Sequence, residues 1–530
     1  MAIKSNFRSV SVPLVLLLFF IQALPVEATH PCGVLGHQAT KSRGTLAQGT
    51  EWETDYFVID SGADGPTVLL IGGMHGNEPS GSRAAAQILH WPIIKGKMVV
   101  VPRANVLGLE ANTRSIPGHP EESGNLNRNF PQEEKNGEKH VTPRGELARS
   151  LWSLAIETQP DWVIDLHEGY EFNRSHNPPK GKKKSVGSSV IYQGGPQMDP
   201  LAERVAQAAD AYVTDPSRRF SLIRSGPISS GVAGACINAF GTNGIICETT
   251  YQDQPLSFRT QQHRAMVNVL LIHVGLIEGD CRDRLAAPKL PNALQVAVFD
   301  GTGTGPSRVY LCRVIEDASD MSLHYVGPEQ MKAEVLEQFD VLVFPGGSGS
   351  KQGNAIGEKG CEAVREYVAD GGGVVGVCAG AYLCSAHYKW SLDLIDARTF
   401  TGSVDIPGKG KKPLWYRGAE ADIDMELTPQ GERLFAGAGI PRNVVVRYCN
   451  GPIISPKGLE ELEDYEVLAW FRSENGLWES QEGTMINTPA IVLGEFGKGR
   501  VISVSPHPEF TPSLHPIITQ AIHWTASASD

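Results

Sequence analysis

The chain has 530 residues, 41% of them hydrophobic and 20% charged, with 57 glycines and 35 prolines. That is too long for a single core and ordinary in composition, so two large globular domains are expected and a fibrous or disordered chain is excluded. A formal net charge of −12 at pH 7 argues against nucleic acid as a partner.

Lys4 and Arg8 precede an uncharged segment with the apolar core Leu14 to Ile21, which ends on Val26-Glu27-Ala28. Residues 1–28 read as a secretory signal peptide, too short in its apolar core to span a bilayer. No later stretch reaches the roughly 20 apolar residues of a transmembrane helix. The mature protein is therefore expected to be exported, periplasmic or extracellular, without a membrane span. Nine cysteines in an exported chain ask for pairing, and the odd count leaves at least one free. Cys32 and Cys281 bracket the first domain and are expected to tie its ends. Cys236 and Cys247 flank the approach to Glu248 and would pin that loop, unless they are simply buried thiols. Cys378 is the candidate free thiol.

Strand-like runs alternate with helical stretches along the whole chain, which favours parallel sheets, and no internal repeat is found. Pro66 to Ile71 reads as a buried strand, followed by the glycine-rich turn Gly72 to Gly81, GGMHGNEPSG, and a helix through Ser82 to Leu89. His75 and Glu78 thus stand at a strand's carboxyl end, the edge where open α/β sheets bind ligands. Trp162 to Leu166 delivers His167, with Glu168 beside it, and Gly244 to Cys247 delivers Glu248 in the same way. Taken singly, each is a solvated loop residue or a core histidine. Together they make the ligand set of a catalytic zinc with one open position, although two histidines and a carboxylate also suit iron or manganese. The stretch Asn173 to Ser185 carries Lys180, Lys182, Lys183 and Lys184 and reads as a solvated loop, or as a lid that attracts an anionic substrate. Asn173-Arg174-Ser175 is a glycosylation sequon only in a eukaryotic secretory pathway.

GGMHGNEPSG, Gly124-Asn-Leu-Asn-Arg-Asn-Phe130, Asp165-Leu-His-Glu-Gly169 and the strand-ending Glu248 resemble, in that order, the zinc carboxypeptidase superfamily and its succinylglutamate desuccinylase and aspartoacylase branch. The resemblance covers about Thr50 to Gly279. It implies one zinc per chain on His75, Glu78 and His167, and Glu248 as general base. It further implies Asn127 and Arg128 as the grip on a substrate carboxylate, and Arg114 as the oxyanion partner with Arg103 the alternative. Peptidase members of the family carry a tyrosine before the catalytic glutamate, and Ser221 to Phe240 contains none. The substrate class therefore stays open between N-acyl amino acids, peptides and cell-wall fragments, and a receptor without turnover is the competing reading.

Charges, Pro288 and Pro291 interrupt both periodicities between Gly279 and Ala293, so the first domain is placed at 29–285, a linker at 286–293 and a second domain at 294–530. The second opens with Gln295 to Phe299 and Asp300-Gly-Thr-Gly-Thr-Gly305. Cys378 lies between a β-rich run and a helix-forming run, flanked by Gly376 and Gly380, as in a nucleophile elbow. His507 and Glu509 follow a final strand, and a Cys, His and Glu set is what thiol catalysis requires. VFDGTGTG, VFPGG, GVCAGAYL, YCNGP and HPE resemble class I glutamine amidotransferase-like domains, closest to the N-terminal domain of biotin-protein ligases. That resemblance implies Cys378 as nucleophile with His507 and Glu509; a binding or packing module on the same fold is the alternative. The expected fold class is α/β, with two doubly wound domains: a zinc-carboxypeptidase-like α/β/α layer structure and a flavodoxin-like one.

Overall fold

The computed structural model describes residues 39–527 apart from 119–123, 134–138, 141, 226, 227, 229, 290 and 291. The expected signal peptide and Cys32 lie outside the described residues. The first half comprises β1 (Thr40–Leu46), β2 (Thr54–Asp60), β3 (Thr67–Gly72), α1 (Pro79–Ile88), β4 (Lys97–Val101), α2 (Val106–Ala111), α3 (Glu146–Thr158), β5 (Trp162–Gly169), β6 (Ser189–Gln193), α4 (Met198–Asp210), β7 (Ser221–Ser225), α5 (Gly231–Phe240), β8 (Asn243–Thr250) and α6 (Leu256–His273). Eight of its strands form one sheet in the order β1-β2-β4-β3-β5-β8-β6-β7. The centre, β4-β3-β5-β8, is parallel, and antiparallel strands flank it on both sides.

Alternation along the buried strands divides this half into two cores. Val68, Leu70, Ile164 and Leu166 face α1 and α6, where Ala84, Ile88, Met266 and Leu270 pack on them. Leu69, Ile71 and Val163 face the opposite layer, built by Leu147 and Leu151 of α3 and Val232 and Ala235 of α5. The same alternation overturns the expected Cys236–Cys247 pairing. Cys236 belongs to the α3/α5 core and Cys247 to the α1/α6 core, on opposite faces of the sheet, and both are free buried thiols. Cys281 is disulfide-bonded.

The second half contains β9 (Leu294–Phe299), α7 (Arg308–Glu316), β10 (Met321–Val326), β11 (Val341–Phe344), α8 (Gly349–Ala369), β12 (Gly373–Val377), α9 (Ala379–Cys384), β13 (Ala421–Leu427), β14 (Asn443–Tyr448), β15 (Glu466–Phe471), β16 (Pro489–Phe496), β17 (Gly499–Val504) and α10 (His515–Ala526). Its main sheet runs β10-β9-β11-β12-β17-β16-β15-β13-β14. The five strands β10 to β17 are parallel in the doubly wound order with the first strand second, and four antiparallel strands extend them. Leu285 and Ala286, at the end of the first expected domain, pack into the core of this second sheet.

The halves meet through α1 and α6. Arg83 of α1 forms a buried ion pair with Asp300, at the carboxyl end of β9, and stacks over the Tyr325 ring with its guanidinium carbon 4.0 Å from the centroid. Arg308 Nε lies 3.2 Å from the other Asp300 oxygen. Trp91 Nε1 donates to the Arg284 carbonyl at 3.0 Å. Helix α6 buries Arg259, Gln261, Gln262, His263 and Arg264 together with its apolar residues, because it is covered on both sides.

The loop after β5 is solvated. Lys180, Lys182, Lys183 and Lys184 are exposed, whereas Asn173 is 9% exposed and its Nδ2 donates to the Ser185 carbonyl at 2.6 Å.

Candidate metal centre and a second candidate site

The glycine-rich turn after β3 works by close approach. A Cβ at Gly81 would lie 2.7 Å from the Leu166 carbonyl, and one at Gly76 would lie 1.8 Å from the Gly108 backbone. Without side chains there, α1 starts directly against β5, and its first turn brings Glu78 up to His167. Pro79 fills the first helical position, where its missing N–H costs nothing.

His75, Glu78 and His167 are buried, and one ligand atom from each lies within 4.8 Å of the others. Nδ1 of His75 is 2.9 Å from Glu78 Oε1, and Nδ1 of His167 is 2.9 Å from Glu78 Oε2. The outer ring nitrogens are occupied. His75 Nε2 is 3.2 Å from Asn125 Oδ1, an oxygen that also accepts from the Asn127 N–H. His167 Nε2 lies 2.9 Å from Asp165 Oδ2, in an ion-pair contact. An amide oxygen can only accept, so His75 Nε2 carries hydrogen, and Nδ1 of its neutral ring turns its lone pair on Glu78. Two imidazole Nδ1 atoms and a carboxylate facing one another form the donor set of a metal site.

The electrostatics of the cluster fit this. Burial lowers the pKa of His75 and so favours its neutral ring. For His167, burial opposes the charge, but Asp165 and Glu78 outweigh it and hold the ring well above the usual imidazole range. Glu78, despite its burial, is held well below the usual carboxylate range by the two histidines.

Glu248 pairs in register with His167 across β8 and β5. Burial is the main cause that pushes its carboxyl up to about 8, and Oε2 has no hydrogen-bond partner. Arg114 NH1 rests on Glu78 Oε1 at 2.7 Å. Arg103 instead reaches Glu110 on the surface at 3.4 Å, away from the cluster. The Asn127 side chain is buried, with Oδ1 accepting from Val232 N at 3.1 Å and Nδ2 3.3 Å from His167 Nε2. Arg128 is exposed, with NH1 donating to the Asn127 carbonyl at 2.9 Å. Glu168 faces away, because it sits on the α1/α6 side of β5. Its carboxylate accepts from Ser80 N at 2.7 Å and pairs with Arg259, while its own N–H donates to Glu78 Oε2 at 3.1 Å.

Two residues of the cluster escaped the sequence reading. Asp165 was within reach, because it stands two positions before His167 on one strand and must share its face. Asn125 had no such signal, since its placement depends on how 124–130 folds over the sheet.

The second candidate site lies at the carboxyl ends of β12 and β17. Cys378 has φ 51°, ψ −99°, a strained conformation for a residue with a side chain. Its N–H is tied to the Val504 carbonyl at 2.8 Å. His507 Nδ1 is 2.7 Å from Glu509 Oε1, and the ring's remaining polar partner is the Cys378 side chain. Burial works against the imidazolium, but Cys378 and Glu509 together push His507 up to about 11. Gly346 makes room for the pair, since a Cβ there would lie 2.9 Å from His507 Cε1 and 3.7 Å from Cys378 Cβ.

Residues 64–177 match the model of the succinylglutamate desuccinylase/aspartoacylase catalytic domain, and residues 294–527 match that of the biotin-protein ligase N-terminal domain. A curated relative, N-alpha-acetyl-L-2,4-diaminobutyric acid deacetylase from Halomonas elongata, is 31% identical over 112 residues, which is 20% of this chain and 29% of that protein. The chain thus spans under a third of the relative's length. Among solved structures, the tripeptide-bound cell shape determinant Csd4 of Helicobacter pylori aligns at 19% identity and a TM-score of 0.35, over 49% of this chain and 66% of that one. A succinylglutamate desuccinylase/aspartoacylase from Rhodobacter sphaeroides aligns at 22% identity and a TM-score of 0.31, over 49% and 70%. No helix among the described residues is long and apolar enough to cross a membrane. The chain is therefore similar to the succinylglutamate desuccinylase/aspartoacylase catalytic domain over residues 64–177 and to the biotin-protein ligase N-terminal domain over residues 294–527.

Proposed function

We propose that the first half is a zinc-dependent hydrolase that cleaves an amide bond in a small substrate bearing a free carboxylate. The observation that carries this reading is the convergence of two imidazole Nδ1 atoms and both Glu78 oxygens on one point, beside a buried Glu248 whose Oε2 has no hydrogen-bond partner. His75, Glu78 and His167 would hold one zinc. Zinc bound there supplies a water whose pKa falls toward about 7 and polarises the scissile carbonyl. Glu248 takes the proton of the attacking water and passes it to the leaving amine, a double duty suited to a carboxyl raised by burial. Arg114, on Glu78 at 2.7 Å in the metal-free chain, turns to the developing oxyanion. Exposed Arg128, with Asn127 behind it, holds the substrate carboxylate. The Halomonas deacetylase is named for an N-acyl amino acid, so such compounds stand first among substrates and short peptides second. The signal-peptide pattern of residues 1–28 supports an exported enzyme.

A second reading concerns the other site. The strained Cys378 backbone and the buried His507–Glu509 pair support thiol-dependent amide chemistry, with Cys378 as nucleophile, His507 as proton carrier and Glu509 orienting it.

The test is bound metal and hydrolysis, measured together on a pool of N-acyl amino acids and short peptides, for wild type, His75→Ala, Glu248→Gln and Cys378→Ser. Near one zinc per chain in the wild type, lost with activity in His75→Ala and retained without activity in Glu248→Gln, is expected. No metal after zinc is resupplied would sink the first reading, and turnover lost only in Cys378→Ser would transfer function to the second half.

A further inference from the structure

The nucleophile-like cysteine has a second thiol at its side that neither reading uses. Cys378 Sγ donates to the backbone carbonyl of Cys449 at 3.4 Å, so residue 449 is in contact with the reactive sulfur. Cys449 is free and half-buried, whereas Cys378 is only 6% exposed. The contact is held on several sides. Tyr382 of α9 donates its hydroxyl to the Asn450 carbonyl at 3.3 Å, the Arg417 N–H reaches Asn450 Oδ1 at 2.6 Å, and Asn450 Nδ2 reaches the Gly418 carbonyl at 3.1 Å. Asn450 itself takes a left-handed φ of 58°, which sets the direction in which residue 449 is presented. Cys384, six residues after Cys378, packs into the core on the other face of the second sheet and is not a competitor.

We propose that Cys378 and Cys449 form a reversible disulfide that closes the second site, with a small-molecule disulfide as the oxidant. With its thiol proton passed to His507, Cys378 Sγ attacks one sulfur of the oxidant. A mixed disulfide forms on Cys378, and the first small thiol leaves with the proton from His507. The now neutral His507 takes the Cys449 proton, and the Cys449 thiolate attacks Cys378 Sγ. The second small thiol leaves with that proton. Two protein thiols are oxidised to one disulfide, and one molecule of small disulfide is reduced to two thiols. The Cys449 thiol also feels the charges of Cys378 and His507, after burial the largest influences on it, and this agrees with their closeness. The Cys449 carbonyl already touches the partner sulfur, which keeps the backbone of residue 449 beside Cys378.

The proposal stands independently of the zinc reading. Its test uses the full chain, fully reduced, exposed to oxidised glutathione, acid-quenched and mapped by mass spectrometry without reduction. The expected result is a Cys378–Cys449 cross-linked peptide, two hydrogens lighter than the separate peptides, lost on treatment with a phosphine. Cys449→Ser should instead hold Cys378 as a stable glutathione adduct. In the wild type, iodoacetamide labelling of Cys378 should fall at least tenfold on oxidation and recover on reduction. Cys236, Cys247 and Cys312, all buried and free, should stay unlabelled throughout and so report that the fold is intact. Separate glutathione adducts on the two cysteines of the wild type would overturn the proposal. So would Cys378 oxidised with Cys449 still free.

Discussion

Asp300 offers a measurable junction between the two halves. It accepts Arg83 from α1 on one oxygen and Arg308 on the other, and the side chains of Arg83 and Asp300 are only 13% and 11% exposed. Asp300→Asn keeps the shape and removes the charge. Arg83 then stays buried without a counter-ion, a loss of about 3–5 kcal/mol. Arg83→Met is milder, because Asp300 keeps Arg308; it forfeits a charged hydrogen bond of about 1.5–3 kcal/mol and stacking on Tyr325 of about 0.5–2 kcal/mol. In the double variant the buried cation is gone, so its cost should fall short of the sum of the singles by about 2 kcal/mol or more. Urea unfolding followed by circular dichroism, with limited proteolysis of 286–293 as a probe of separation of the halves, reads these differences. Additivity within about 0.5 kcal/mol would refute the claim that Arg83 and Asp300 act as one buried pair.

Two further outcomes follow from the sites. Asp165→Asn should weaken zinc binding about 10- to 100-fold in equilibrium dialysis, since Asp165 lies against the His167 ring, and should also lower the unfolding midpoint measured without zinc, since it removes a buried charged partner of that ring. His507 is held at about 11 in the folded chain against about 6.5 for a free imidazole. In the folded chain His507 therefore keeps a proton that it loses in the unfolded chain across that window. The stability His507 contributes is complete below pH ~6.5 and falls by up to about 1.4 kcal/mol per unit as pH rises toward 11. Unfolding curves at pH 7, 8 and 9 should show a shallower decline in His507→Gln than in the wild type, and parallel declines would remove the buried imidazolium.

What could be read from sequence was what strand parity and strand ends control. His75, Glu78, His167 and Glu248 each follow a run of buried β-branched or aliphatic residues, so their common edge of the sheet was legible. The Cys236–Cys247 pairing failed on the same rule. One cysteine sits on a helix above the sheet and the other points below it, and nearness in sequence said nothing of that. Contacts across long separations left no local trace, as with Arg83 and Asp300, 217 residues apart. Helix α6 was also opaque to periodicity. Buried by both halves at once, it carries arginines, glutamines and a histidine inside and shows no polar face by which to orient it.

The buried amide of Asn173 bears on how the protein can be produced. An oligosaccharide is bulky and needs a surface position, yet this amide is 9% exposed and donates to the Ser185 carbonyl in the loop that follows the β5 strand bearing His167. A host that glycosylates the nascent chain at Asn173-Arg174-Ser175 would attach a sugar where the finished fold has no room. Expression through a yeast or insect secretory route should therefore give a sugar-bearing, poorly folded product, whereas Ser175→Ala, which abolishes the acceptor sequence and leaves the Asn173 amide in place, should restore the yield obtained from a bacterial host.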